Sequence, residues 1–295
     1  MTDARREDSG IRLACSDFTW RNIPHEAVLD LVEALDFEGV DIGFVPSYTT
    51  LQADEMRHSP ARWGGAIGER VSARGLVLAD IYPIASLDLY SLALNHPSPN
   101  EQTDADAFFG DMLTLTTSSG ASGMTIVPGM VFDEPWEQAF DRAVRGLTWR
   151  LDEAAKSDVA LSIEPHIHSV VDTPEKVLAL IDAVPGLQLT LDYGHFVQQG
   201  IAQEAVDALL PFVRHLHVRG GAEGVVQTRF SENTIDFGHV VDQLAAEGFG
   251  GWIVIEYVHD ERPGCATCDV TQETIAFRDF LRPRIDRVNA RRMAS

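Results

Sequence analysis

Four apolar runs in this sequence break off at a residue that can bind a cation or carry a proton. ALSIEP reaches Glu164, LTLDYGHF reaches Asp192, RHLHVRG reaches His217 and IVIEY reaches Glu256. Successive members lie 28, 25 and 39 residues apart, close to one strand-plus-helix unit each. Taken singly, each could be an ordinary hydrogen-bonded residue at a strand end. Together, three carboxylates and an imidazole converging on one point would repel and desolvate one another unless a divalent cation lay among them. Mostly oxygen donors with one nitrogen suit Mn²⁺ first, with Mg²⁺, Co²⁺, Fe²⁺ or Zn²⁺ as other occupants. Such an ion would polarise a substrate carbonyl and its neighbouring hydroxyl, stabilising the enediolate left when an adjacent proton departs. Glu164 and Glu256 are then placed to act as paired base and acid.

The elements that must position these residues follow from an alternation along the chain. Eight short runs rich in β-branched residues read as strands: IRLACSDF (11–18), GVDIGF (39–44), LVLADIY (76–82), GMTIVPG (123–129), VALSIEP (159–165), LQLTLD (187–192), VRHLHV (213–218) and GWIVIEY (251–257). Between them lie helix-like segments such as PHEAVLDLVEALD, WEQAFDRAVRGLTWRLDEAAK and TPEKVLALIDAVPG, several opening at Pro or Thr-Pro and closing at Gly. Eight such units over residues 1–295, with no linker between them, predict an α/β fold: one (β/α)8 TIM barrel domain with its active site at the C-terminal ends of the strands. A doubly wound sheet would need a phosphate-cradling glycine-rich first turn, which IRLACSDFTW lacks.

Strand parity sorts the side chains. In the sixth strand Leu189, Leu191 and Tyr193 face the helices and leave Thr190 and Asp192 inside. In the eighth Ile253, Ile255 and Tyr257 point outward and Trp252, Val254 and Glu256 inward. In the seventh Leu216 and Val218 point out, and His215, His217 and Arg219 in. Arg219 is therefore expected to bind substrate, as is His166, which shares the parity of Glu164 at the start of a loop; His168 is balanced between site and loop. His215 and Asp41 read as interior hydrogen-bonded residues. The stretch 92–104 reads as a loop that brings His96 toward the mouth, and 220–234 as a loop over the substrate with Gln227 or Arg229 in contact. Asp236 reads as a first-turn residue of the following helix. Cys265 and Cys268 form a CxxC, but without a second cysteine pair they read as reduced thiols rather than a structural zinc site, even with His259 and Asp260 nearby. Cys15, in a strand, adds no disulfide framework.

Composition excludes other classes. Lys and Arg number 23 against 45 Asp and Glu, a net charge of -22, which repels a phosphate backbone and argues against a nucleic-acid partner. MTDARREDSG is polar throughout, and no apolar run approaches a membrane span. The expectation is a cytoplasmic protein with no membrane partner.

The stretches IEPHIHSVVDTPEKVLALIDAVPGLQLTLDYGHF, HLHVRG and TIDFGHVVDQLAAEGFGGWIVIEY resemble the xylose-isomerase-like TIM-barrel superfamily of sugar phosphate isomerases and epimerases, and the likeness spans nearly the whole chain. The resemblance implies a metal on Glu164, Asp192, His217 and Glu256, proton transfer by Glu164 and Glu256, and substrate contacts from His195 and Arg219. With the ligand set, it leads us to expect a divalent-metal-dependent isomerase or epimerase of a small keto-sugar or keto-polyol. The alternatives are a metal-dependent lyase or dehydratase on an inosose-like or 3-keto-sugar substrate and, further off, a non-catalytic sugar-binding subunit. Relatives of this superfamily are often oligomers, so a homo-oligomer is possible. The superfamily's DNA-repair branch uses more ligands and a basic groove, which the acidic balance opposes.

Overall fold

The β-branched runs pair side by side as expected. In the computed structural model, which describes residues 10–262 and 264–294, eight parallel strands close on themselves. In chain order the strands are β1 (Arg12–Ser16), β2 (Gly39–Phe44), β3 (Val77–Pro83), β4 (Gly123–Ile126), β5 (Ala160–Ile163), β6 (Gln188–Asp192), β7 (Val213–Val218), β8 (Gly220–Ala222), β9 (Val225–Thr228) and β10 (Trp252–Ile255). The barrel runs β1-β10-β7-β6-β5-β4-β3-β2, with β10 as its eighth strand, while β8 and β9 pair only with each other. Helices lie between the barrel strands, which makes this a TIM barrel. The polar N-terminus read above falls largely outside the described residues. No helix among the described residues is long and apolar enough to cross a membrane.

Two layers of side chains follow from strand alternation. Leu189, Leu191, Leu216, Val218, Ile253 and Ile255 are buried in the core between barrel and helices, whereas Trp252 and Val254 pack with Ala14 and Ala79 in a separate interior cluster. Register then sets Asp192 level with its partner His217, while Glu256 stands two residues beyond Val254, the partner of His217 on β10. Glu164 and Glu256 each stand one residue beyond β5 and β10, yet their N–H groups still donate to Ile126 and Val218 at 2.9 Å. Their backbones are therefore fixed by the neighbouring strand.

The lower barrel interior is polar, which the strand-end reading missed. Arg214 donates to Asp80 Oδ2 at 2.6 Å and to Ser162 Oγ at 2.7 Å. Thr190 Oγ1 lies 2.7 Å from both Thr125 and Ser162 hydroxyls, and Thr125 donates to Asp80. Five strands are thereby tied together beneath the strand ends by a buried ion pair and the hydroxyls around it.

Three loop expectations need correction. Pro99–Asp104 is not loop: the helix runs Pro99–Ser119, with Pro99 in the first turn, where its missing N–H costs nothing, and Ser98 as the preceding residue. His96 consequently turns into its own loop, accepting from Ser98 N–H at 3.1 Å and meeting the Phe132 ring edge-on at 4.8 Å. Within 220–234, β8 and β9 form an antiparallel hairpin that reverses at Gly224, φ 79°. Gln227 does not reach outward; its side chain accepts from Val258 N–H at 2.9 Å and donates to Val258 C=O at 2.8 Å. The loop after β10 rests on this hairpin, and Gly264, φ 86°, has no room for a Cβ against the Gln227 carbonyl. Asp236 is the capping residue before the helix Phe237–Ala246, accepting from His239 N–H at 3.0 Å.

Removing one partner of a buried ion pair leaves an uncompensated charge. Asp80→Ala should therefore cost on the order of 3–5 kcal/mol by urea unfolding. A loss within the scatter typical of surface substitutions would show that Arg214 needs no anion.

Candidate active site

The centre of the site is His217, held from both sides. Asp41, inward on β2, accepts from His215 Nε2 at 2.7 Å and faces His217 Nε2 at 3.3 Å. The other ring nitrogen, Nδ1, lies 2.6 Å from Glu164 Oε1 and 3.3 Å from Glu256 Oε2. Burial alone would pull this imidazole down, but Glu256 and Glu164 push it well above its ordinary range. Without another cation, His217 itself carries the positive charge among three carboxylates.

Glu164 is the most heavily partnered carboxylate. Its Oε2 accepts from the Tyr82 hydroxyl and lies 2.7 Å from His166 Nε2, and Tyr82 also contacts that nitrogen at 2.9 Å. Burial favours the neutral acid, yet the facing His217 and His166 overcome it and hold Glu164 well below the usual carboxyl range. Burial and the negative charge of Glu164 push the Tyr82 phenol well up, so it stays a donor. Neither Tyr82 nor the Asp41 contact to His217 was expected from the strand ends. Reading the inward positions of β2 and β3 would have found both, since each strand alternates a polar side chain into the barrel.

Asp192 sits apart from that group. Its Oδ2 accepts from Arg219 Nη2 at 2.5 Å and its Oδ1 from Gly194 N–H at 2.7 Å. Burial raises its carboxyl, with Arg219 opposing and Glu256 and Glu164 adding to the rise. His195 lies 3.6 Å from the same Oδ2 and accepts from Arg219 at 3.3 Å. Burial, His166 and Arg219 together hold it well below the ordinary imidazole value. A neutral ring that accepts at Nε2 carries its hydrogen at Nδ1, and that buried atom has no protein partner. His166 stacks on His195, centroids 4.1 Å apart. The structure thus brings His166, His195 and Arg219 to the rim of the carboxylate group. His168 is exposed on its loop with φ 68°. Cys265 and Cys268 are buried free thiols, and burial pushes Cys265 up to about 11, with Arg219 and Arg262 opposing.

The donor chemistry fits a divalent ion. One ligand atom each from Glu164, His217 and Glu256 lies within 4.8 Å of the others, and Glu256 Oε2 is buried without a hydrogen bond, facing the His217 ring at 3.3 Å, so it has room to take a metal ion. The same closeness joins Glu164 to His166 and His195, and His217 to Asp41 and His215. Asp192 belongs to none of these groupings, its oxygens being taken by Arg219 and Gly194.

The family model described as xylose isomerase-like TIM barrel matches residues 29–282. The chain belongs to this family. No curated protein sequence matches it. Among solved structures, this xylose isomerase-like barrel is similar to an L-ribulose 3-epimerase, with TM-score 0.74 and 14% identity over 95% of this chain and 96% of the other. It is also similar to D-psicose 3-epimerase with D-tagatose from Clostridium cellulolyticum H10, at TM-score 0.68 and 14% identity over 96% and 97%. A third is AsbF of Bacillus anthracis, described as a probable 3-DHS dehydratase, at TM-score 0.67 and 13% identity over 92% and 98%. At such identities the likeness is one of fold.

Two substitutions probe the donor set. Glu256→Gln, which keeps the side chain's shape but removes its charge, should weaken Mn²⁺ binding by about tenfold or more by calorimetry. Unchanged affinity would remove Glu256 from the set. Asp41→Asn should weaken binding roughly 10–100-fold through the loss of its hold on His217; wild-type affinity would mean the His217 ring needs no such support.

Proposed function

We propose that this protein is a divalent-metal-dependent isomerase or epimerase of a small keto-sugar or keto-polyol. The observation that carries the reading is the convergence of Glu164, His217 and Glu256, with a buried Glu256 oxygen that makes no hydrogen bond, at the C-terminal face of a barrel. Glu164, His217 and Glu256 would hold the ion, with Asp192 as the fourth ligand once Arg219 yields its oxygen; Mn²⁺ suits this set, and Mg²⁺, Co²⁺, Fe²⁺ or Zn²⁺ share its chemistry. When bound, the ion withdraws charge from the substrate carbonyl and its neighbouring hydroxyl.

The chain's own residues supply the remaining steps. Glu164 is kept ionised by His217 and His166, so at rest it is ready to take the α-proton. Glu256, protonated before the step, delivers a proton on the opposite side, and exchange with solvent afterwards carries off the proton held by Glu164 and restores that of Glu256; transfer between the two faces of one carbon inverts its configuration. Delivery to the neighbouring carbon instead exchanges ketone and aldehyde. Arg219 and the Nδ1–H of His195 bind substrate oxygens, and His166 fixes the carboxylate that moves the proton. The epimerases of similar fold support a sugar as the substrate class.

A second reading rests on Tyr82. Its hydroxyl stays protonated beside Glu164, where it can protonate a departing β-hydroxyl, and the proton abstraction that begins epimerisation then ends in elimination. The dehydratase of similar fold supports this lyase branch on an inosose-like or 3-keto-sugar substrate.

Incubating the Mn²⁺-loaded protein in D₂O with a panel of ketoses and inososes tests both. Deuterium at the α-carbon of an isomeric product is expected, and Glu164→Gln should slow its appearance by about 10²–10⁴-fold. Loss of water or of a substituent as the main product would favour the second reading, and no exchange with any compound would overturn both.

A further inference from the structure

The barrel mouth has an apolar lining that a bare polyhydroxy compound does not need. Phe18, Val45, Ile84, Val226 and Val258 are buried with the Tyr82 ring as a cluster separate from the core between barrel and helices. Phe18, Val45, Ile84 and Val258 each fall within three residues of the end of β1, β2, β3 or β10, the face on which Glu164 and Glu256 stand. Tyr82 belongs to both settings, its ring in the apolar cluster and its hydroxyl on Glu164. Burying apolar atoms beside a site for a ligand made only of hydroxyls leaves those hydroxyls unpaired.

The lining continues into a cavity. Ile84, Leu89 and Val127 form part of its wall, and Ala105, Phe108 and Phe109 of the helix Pro99–Ser119 another part, around a half-open space of ≈ 70 Å³. Arg150 also lines it, but its guanidinium is held by Asp106 at 2.9 Å and by the Gly146 carbonyl at 3.1 Å. The cavity therefore favours a neutral, apolar group. An apolar cavity of about 150 Å³ takes a benzene ring, so this one fits a chain of a few carbons.

Resting on the reading above, we propose that the substrate is a keto-sugar carrying a short alkyl substituent, methyl to propyl, whose carbons lie against Ile84, Leu89 and Val127 and enter the cavity behind them. The polar end of the substrate meets Glu164, Glu256, His195 and Arg219. The alkyl end selects it from plain ketoses.

The test is a homologous series of 3-keto-glucosides and ketohexose ethers, from the unsubstituted sugar through pentyl, with α-proton exchange in D₂O followed on the Mn²⁺-loaded protein. The expected result is a kcat/KM that rises roughly fourfold per methylene, the selectivity of a buried CH₂, as far as propyl, and falls at pentyl. Ala105→Leu, which fills the cavity, should flatten the rise, and Val127→Asn should do so by making the wall polar; if neither variant folds, the wild-type series decides alone. A series that turns over but is flat, or falls from methyl onward, overturns the alkyl subsite and leaves the proposed function standing. No exchange with any member overturns the proposed function and this inference with it.

Discussion

Everything at the active face turns on how buried negative charge is balanced. Asp41, Glu164, Asp192 and Glu256 are all nearly inaccessible to water, and no arrangement of them alone would be stable in a low-dielectric interior. The protein answers with cations at fixed positions, His217 between Asp41 and Glu164 and Arg219 on Asp192, and with the His166 ring in contact with the second oxygen of Glu164. A metal ion placed among Glu164, His217 and Glu256 would take over from the His217 proton, which makes the ligand cluster and the charge-balanced cluster two occupancies of one electrostatic design.

That design requires rigid placement, and the barrel supplies it from below. Parallel pairing puts Asp192 level with His217, and the N–H groups of Glu164 and Glu256 remain hydrogen-bonded to the adjacent strand after the ladder proper has ended. The Asp80–Arg214 pair, with Thr125, Ser162 and Thr190, fastens β3, β4, β5, β6 and β7 beneath these residues. Polar groups thus occupy the interior at two levels, the lower one held by the Asp80–Arg214 pair with Asp80 Oδ1 left over, and the upper one with atoms on Glu256 and His195 that make no hydrogen bond. Free valence at the upper level is where chemistry can happen.

Much of this was legible in the sequence because β-strand periodicity is a local property. The eight runs and their inward positions follow from alternation alone, so the TIM barrel, and the side of each strand on which Thr190, His215 or Trp252 stands, could be read directly. Pairings between residues far apart in the chain could not. Nothing within LVLADIY says that Tyr82 will meet Glu164, and nothing within LTLDYGHF says that Arg219 rather than a shared centre will hold Asp192 Oδ2, because both depend on barrel closure and on rotamers chosen by burial. The start of the helix at Pro99 was obscured by the neighbouring Pro97, two signals that resemble a loop until the backbone is seen to use one of them as a first helical turn. The hairpin within 220–234 was hidden by short strands, where few residues carry the alternation.

The Gln227 amide spans both backbone groups of Val258, two residues beyond Glu256, and Gly264 lies flat against the Gln227 carbonyl. The hairpin and the exit of the last barrel strand are therefore one mechanical body. The backbone that carries Glu256 out of the barrel is anchored to the hairpin as well as to β7, so a change of sequence in the hairpin bears on where that carboxylate stands.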